Sequence, residues 1–186
     1  NFSTIFTIIC FILFINAVNM YDGINLQSSI YFLVLILFLI FNTLSNYFLY
    51  LLIIPILSFS YLNNKNKAFL GDGGTYILGF ILSYMIVKSY NLENNLKADE
   101  IFILMMVPGI ELLRLALMRI KARKNPFTGD KTHLHHYLIK KMNIYKANLL
   151  LFLLIFMPII LIDQINHIYI ILLYIFIYSF ILLRYK

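Results

Sequence analysis

Apolar residues in this chain come in long unbroken runs rather than in alternation with polar ones. Seven runs can be laid down as helical segments: roughly Ser3–Met20, Ser28–Leu44, Tyr47–Leu62, Thr75–Tyr90, Ile101–Met118, Ala147–Ile162 and Ile168–Leu183. The stretches Asn1–Tyr21 and Gln27–Asn64 contain no charged residue. A helix crosses a hydrocarbon core of about 30 Å with about 20 residues. Within lipid every backbone amide must be bonded inside its own segment, which favours helix. Strands of a membrane barrel would alternate apolar with polar positions, and these runs do not. The pattern predicts an all-α fold, a polytopic transmembrane helix bundle of about seven spans, forming one domain over residues 1–186. The boundary between the second and third spans is the least defined. The polar patch Asn42-Thr43 and Ser45-Asn46 reads equally as a tight hairpin or as one broken segment.

Composition supports the membrane reading. Of 186 residues 62% are hydrophobic and 12% charged, with a mean hydropathy of +0.86. Soluble domains carry about 25% charged residues, so this chain has too little polar surface for a water-soluble globule. A signal peptide accounts for only one of the runs. The single cysteine, Cys10, lies inside an apolar run and supports neither a disulfide framework nor a thiolate metal cluster. A net charge of +7 and a pI near 9.4 fit the basic flanks of membrane helices and call for no nucleic-acid partner.

The basic residues also set an orientation. Lys65 and Lys67 lie after the third span, Arg184 and Lys186 in the tail. Arg119, Lys121, Arg123, Lys124, Lys131, Lys140, Lys141 and Lys146 fill the longest loop. With seven spans these regions share one side, predicted to be cytoplasmic by the positive-inside rule.

Three polar clusters fall on that side. In Asn16-Ala-Val-Asn-Met-Tyr-Asp-Gly-Ile-Asn25, Asn19 and Asp22 are three apart and share a face if the helix continues. They suit a sugar hydroxyl, a base edge or a hydrated metal ion, or simply a helix end with an Asp22-Gly23 turn. In Phe69-Leu-Gly-Asp-Gly-Gly-Thr75 the glycines admit a ligand close to the backbone. Amides at the following helix start favour anions, and the Asp72 carboxylate suits Mg²⁺, a pairing fit for a diphosphate; the plainer alternative is an N-cap after a glycine turn. It is not a Walker loop, because the Lys-Ser/Thr ending is missing. In Lys124-Asn-Pro-Phe-Thr-Gly-Asp-Lys-Thr-His-Leu-His-His136, three histidines within four positions suit phosphate handling better than zinc, for which no further ligand set exists. His167, alone in the opposite loop, is read as structural.

These segments carry a resemblance. Asn16-Ala-Val-Asn19-Met-Tyr-Asp22-Gly resembles the Asn-Ala-x-Asn-Met-x-Asp-Gly signature of the polyprenyl-phosphate N-acetylhexosamine-1-phosphate transferases. Phe69-Leu-Gly-Asp72-Gly-Gly-Thr is similar to their Phe-Met/Leu-Gly-Asp-x-Gly-Ser/Thr signature. Asn125-Pro-Phe-Thr-Gly-Asp130-Lys-Thr-His133-Leu-His135-His136 is similar to their Ser-Pro-Phe-x-x-Asp-x-x-His-x-His-His segment. The likeness is nearest the branch using UDP-N-acetylglucosamine or a related UDP-HexNAc. It implies Mg²⁺-dependent (or Mn²⁺-dependent) transfer of HexNAc-1-phosphate from the UDP-sugar to undecaprenyl phosphate, releasing UMP, at the inner face of a bacterial plasma membrane. It implies catalytic roles for Asp22, Asp72 and His133, with Asp72 and Asp22 on the metal. Asn19, Asn25, Arg123, His135 and His136 would bind substrate. The implied partners are undecaprenyl phosphate, UDP-HexNAc, the bilayer and, as an option, a second copy in a homodimer.

Two departures temper the likeness. The family usually has a second Asp and a Gly at the places of Asn25 and Leu26. Its paired Asp-Asp motif lies among earlier helices, and this chain has no adjacent Asp pair. The chain is therefore expected to be a later portion of such an enzyme, lacking N-terminal helices. Glu111, where relatives often carry Asp, is a milder change. The rival readings are a catalytically silent homologue and a small transporter. Against the transporter, only Glu111 and Arg114 come near mid-depth.

Overall fold

The computed structural model describes residues 2–42, 47–125 and 132–186. Its helices are α1 (Phe2–Tyr21), α2 (Gln27–Asn42), α3 (Tyr47–Asn64), α4 (Gly71–Lys88), α5 (Ala98–Lys121), α6 (Leu134–Lys141), α7 (Ile144–Leu161) and α8 (His167–Tyr185). A π-helical turn, Ser89–Glu93, continues α4. No strand occurs among the described residues, and each of the seven predicted runs is a helix. The chain forms a polytopic helical membrane bundle.

Five helices are long and apolar enough to cross a membrane: α1, α3, α5, α7 and α8. The other two of the seven fall short for different reasons. Helix α2 is apolar but has only 16 residues. Helix α4 opens on Gly71-Asp72-Gly73-Gly74, so its first turn is polar. The polar patch expected to separate the second and third spans lies largely outside the described residues. The short helix α6 is a correction to the sequence reading, which left Arg119–Lys146 as loop.

Helix α2 is central, packing against α3, α4 and α7. Tyr31, Phe32, Leu35, Ile36 and Leu39 are fully buried on it. That burial explains how so short a helix is accommodated: its partners, not lipid, satisfy its surface. Helix α1 packs on α4 and α5, and α5 on α7 and α8. The outward faces of α1, α3 and α8 expose large apolar side chains such as Ile5, Leu51 and Phe176, as a lipid-facing bundle must.

Prolines sit inside α3, α5 and α7. Pro108 removes the N–H that would bond the carbonyl four residues earlier, that of Leu104. The Tyr31 hydroxyl donates to that carbonyl at 3.1 Å. A side chain of α2 thus satisfies the acceptor that the proline leaves open, as membrane helices require.

The turn after α1 meets the loop after α3 and the start of α6 at one end of the bundle. At the other end His167 Nδ1 meets Asp99 at 2.5 Å, joining the starts of α8 and α5. Lys88 bridges Glu93 at 3.2 Å across the π-turn.

Candidate active site

Asp22 directly follows α1, its N–H still bonded to the Val18 carbonyl at 3.2 Å, and Asn19 and Asp22 are held by different partners. The Asn19 oxygen accepts from the Thr75 hydroxyl at 2.5 Å, and its amide donates to Tyr76 at 3.3 Å. Thr75 also lies 3.1 Å and 3.0 Å from the carbonyls of Gly71 and Asp72. The first two motifs are stitched together at the start of α4.

Asp72 is not the N-cap of α4. Leu70 occupies that place, and Asp72 lies exposed in the first turn. Gly71, at φ +63°, makes the turn into the helix, a conformation glycine adopts without strain. Asp22 is half-buried and accepts from the Ser28 hydroxyl at 2.5 Å. Burial raises its pKa above the usual carboxylate value; the Ser28 hydrogen bond opposes the rise, and the charge of Asp72 adds to it. Among the described residues no three His, Cys, Asp or Glu side chains converge on a metal-sized space. A hard cation here would rest on Asp22 and Asp72 and take its remaining oxygens from a ligand, the usual manner of Mg²⁺.

Asn25 turns away from the acids. Its amide donates to Asn66 at 2.5 Å and its carbonyl accepts from Asn148 at 2.8 Å. The next residue, Leu26, takes φ +71°, with its N–H on the Asn63 side chain at 2.7 Å. Asn63 in turn donates to the Ala68 carbonyl at 2.8 Å. These amides tie the turn after α1 to the loop that delivers Asp72.

The histidines form one cluster. His133 and His135 stack with centroids 5.1 Å apart, and His136 meets His135 edge-on at 4.3 Å. His133 and His135 are buried, and His136 is half-buried. The His135 ring lies directly on the backbone of Gly23, where a Cβ would fall 1.9 Å from Nε2. Burial first, then the neighbouring imidazoles, lower the His135 pKa from 6.5 to about 3, so it is neutral at physiological pH. The third motif is thereby pressed against the first. Asp130 and Lys131 lie outside the described residues. Arg123 stands exposed on the turn after α5, at φ +55°.

One group with a large structural role was legible only as an anomaly. Glu111 is buried in α5 and accepts from Arg114 at 2.7 and 3.1 Å in a two-pronged grip. It also accepts from the Tyr178 hydroxyl and from the Leu134 N–H at 2.9 Å, and lies 3.5 Å from His133 Nδ1. Arg114 adds a bond to the Thr132 carbonyl at 2.8 Å. An acid and a base three apart in an apolar helix are the available signal; that they anchor α6 and the histidines is a tertiary fact. Ser28, Tyr76 and Tyr178 carry no signal of their own.

Fold and site together define a multi-pass helical membrane protein with an acidic, histidine-flanked site at one end. Residues 1–90 match the family described as Glycosyl transferase family 4, a stretch that includes the first two motifs. The chain is similar to the undecaprenyl-phosphate alpha-N-acetylglucosaminyl 1-phosphate transferase of Salmonella typhi, 25% identical over 138 residues, covering 68% of this chain and 38% of that protein. It is similar to the protein of that name from Thermotoga maritima, 33% identical over 85 residues, covering 46% and 28%. A third relative is the decaprenyl-phosphate N-acetylglucosaminephosphotransferase of Mycolicibacterium smegmatis, 28% identical over 89 residues, covering 41% and 22%. The chain is similar to these transferases over part of its length and spans between 22% and 38% of theirs. No solved structure matches it.

Proposed function

We propose that this chain carries the sugar-nucleotide end of a polyprenyl-phosphate N-acetylhexosamine-1-phosphate transferase. The supporting observation is that the first two motifs and the histidines of the third meet at one end of the bundle. Asn19 bonds Thr75, and His135 lies on Gly23. In this reading an oxygen of undecaprenyl phosphate attacks the sugar-proximal phosphorus of a UDP-HexNAc. The bond to the uridine-side phosphate breaks and UMP leaves. A bound Mg²⁺ supplies positive charge against the phosphoryl oxygens. Asp72 and Asp22 hold that charge in place. Asn19, fixed by Thr75 and Tyr76, presents amide groups to the donor. His133 and His136 face the diphosphate, while His135, neutral and wedged on Gly23, positions the others. Arg123 serves the diphosphate from the exposed turn. The acidic end faces the cytoplasm of a bacterial cell, the side marked by the basic loops.

The test uses the whole gene product in detergent with Mg²⁺, undecaprenyl phosphate and UDP-GlcNAc, following UMP. Turnover is expected, and Asp72→Asn should remove nearly all of it while the protein still inserts and melts as before. Asp72→Asn retaining full turnover at limiting Mg²⁺ would show that Asp72 does not hold the ion. Absence of turnover with every UDP-HexNAc donor would favour the silent homologue.

A further inference from the structure

Beyond the histidines, helix α6 packs against both α7 and α8 and passes into α7 through Met142 and Asn143. Helices α7 and α8, of 18 and 19 residues, pack together and are joined by residues 162–166. They therefore run antiparallel, and the end of α8 returns to the level where α7 begins. The corner so formed exposes Lys140 and Lys141 at the end of α6, Lys146 in the first turn of α7 and Arg184 in the last turn of α8. Residues 132–162 and 167–186 contain no Asp or Glu. No acidic side chain pairs with these four cations among the described residues.

The opposite end of the bundle is built otherwise. There Lys88 is bridged by Glu93 at 3.2 Å, and the Lys97 N–H is held by the Glu100 carboxylate at 2.8 Å, with Asp99 beside it. Cations at that end sit among acids, and those of the α6 corner do not. Two features place the corner at headgroup depth. Helix α6, only 8 residues long, buries Leu134 and Leu138 against the bundle and exposes Ile139 beside the lysines. Tyr145 is 62% exposed next to Lys146, the placement that amphipathic rings favour at a membrane interface.

We propose that the α6 corner is a binding site for an anionic phospholipid, whose headgroup phosphate is taken by Lys140, Lys141, Lys146 and Arg184. Four like charges with no acid among them repel one another, and an anion relieves that repulsion. Long basic side chains rooted at helix ends reach the headgroup layer while their stems stay on apolar surface. Below the cations the outward faces of α7 and α8 carry exposed Leu149 and Leu183, on which acyl chains can lie. A soluble phosphate meets the same cations but gains nothing from these leucines or from Ile139. A cluster of basic residues at the end of a spanning helix is the usual means of recognising acidic lipid. The inference concerns the surface outside the histidine cluster and does not depend on the transferase reading.

Native mass spectrometry of the whole protein in detergent, titrated with phosphatidylglycerol or phosphatidylcholine, tests it. Phosphatidylglycerol should bind more tightly than phosphatidylcholine, which can carry the same chains without net charge. Lys141→Gln combined with Lys146→Gln should weaken phosphatidylglycerol binding about fivefold per lysine at low salt. Lys88→Gln combined with Lys97→Gln, at the opposite end, should leave it unchanged. Equal affinity for the two lipids in the unmodified protein would overturn the proposal, whether or not the variants fold. Equal losses in the two double variants would mean attraction to net charge alone and overturn the site. Displacement of the lipid by inorganic phosphate at matched concentration would overturn the lipid as its occupant.

Discussion

Replacing Gly23 with alanine probes the contact that presses the histidine segment onto the acidic turn. An ideal Cβ there falls 1.9 Å from His135 Nε2, while ordinary contact begins near 3.4 Å, so the ring must retreat by about 1.5 Å (3.4 minus 1.9). Retreat is obstructed by His133 and His136, stacked on it and set edge-on against it. The backbone adds no penalty, because the positive-φ glycine is Gly71 and not Gly23. Overpacking of this kind costs about 1–3 kcal/mol. Gly23→Ala should therefore lower the unfolding midpoint in detergent. His135→Ala in the same protein should recover part of the loss, giving a double-mutant coupling in contacting residues. A pH series supplies a second readout. His135 has its folded pKa depressed from 6.5 to about 3. The unfolded chain then takes up the proton first, so the contribution is complete above about pH 6.5 and is lost as pH falls towards 3. A ring pushed out towards water regains a higher pKa, so Gly23→Ala should lose less of its remaining stability over that window. A variant that melts like the parent with the same pH slope would refute the contact, as would strict additivity with His135→Ala.

Three further outcomes are expected. Tyr31→Phe strips the donor from the Leu104 carbonyl and should cost about 1–3 kcal/mol, the penalty for an unsatisfied buried acceptor; in a Pro108→Ala background, where the helix can bond that carbonyl itself, thermal melts should show a smaller cost. Glu111→Gln keeps the shape but loses the charge held by Arg114, Tyr178 and the Leu134 N–H, and breaking a buried pair costs about 3–5 kcal/mol; limited proteolysis between α5 and α7 should speed up, and Glu111→Asp should recover part of the protection. With Cys10 replaced by serine, a cysteine at exposed Lys141 should resist an impermeant maleimide in intact cells while one at exposed Asn94 reacts, and the reverse pattern would invert the orientation.

The helices were legible because lipid leaves the backbone few choices. Runs with few or no charges name their own positions, so all seven segments appear as helices among the described residues. Periodicity says less about where a helix stops. The assigned α1 ends at Tyr21, Asp22 keeps a last helical bond to Val18, and its carboxylate accepts from Ser28, a partner the spacing of Asn19 and Asp22 does not announce. Helix α6 was illegible for a related reason. Its N-terminus is stabilised by Glu111, 23 positions earlier in the chain, accepting the Leu134 N–H, a bond that no local rule contains.

The motifs located the site, but its wiring lies in residues whose types are ordinary. Thr75 and Asn19 are 56 positions apart, and only the packing of α1 on α4 makes them partners. Asn25 is the instructive case. Beside a family signature it reads as a lost acid. In the fold it is one link of an amide chain running through Asn66, Asn63 and Asn148 that fixes the loop before Asp72. An asparagine can both donate and accept, which a carboxylate cannot, and here its amide donates while its backbone carbonyl accepts. The residue that weakens the case for a second acid is the one that holds the turn after α1 against the loop carrying Asp72.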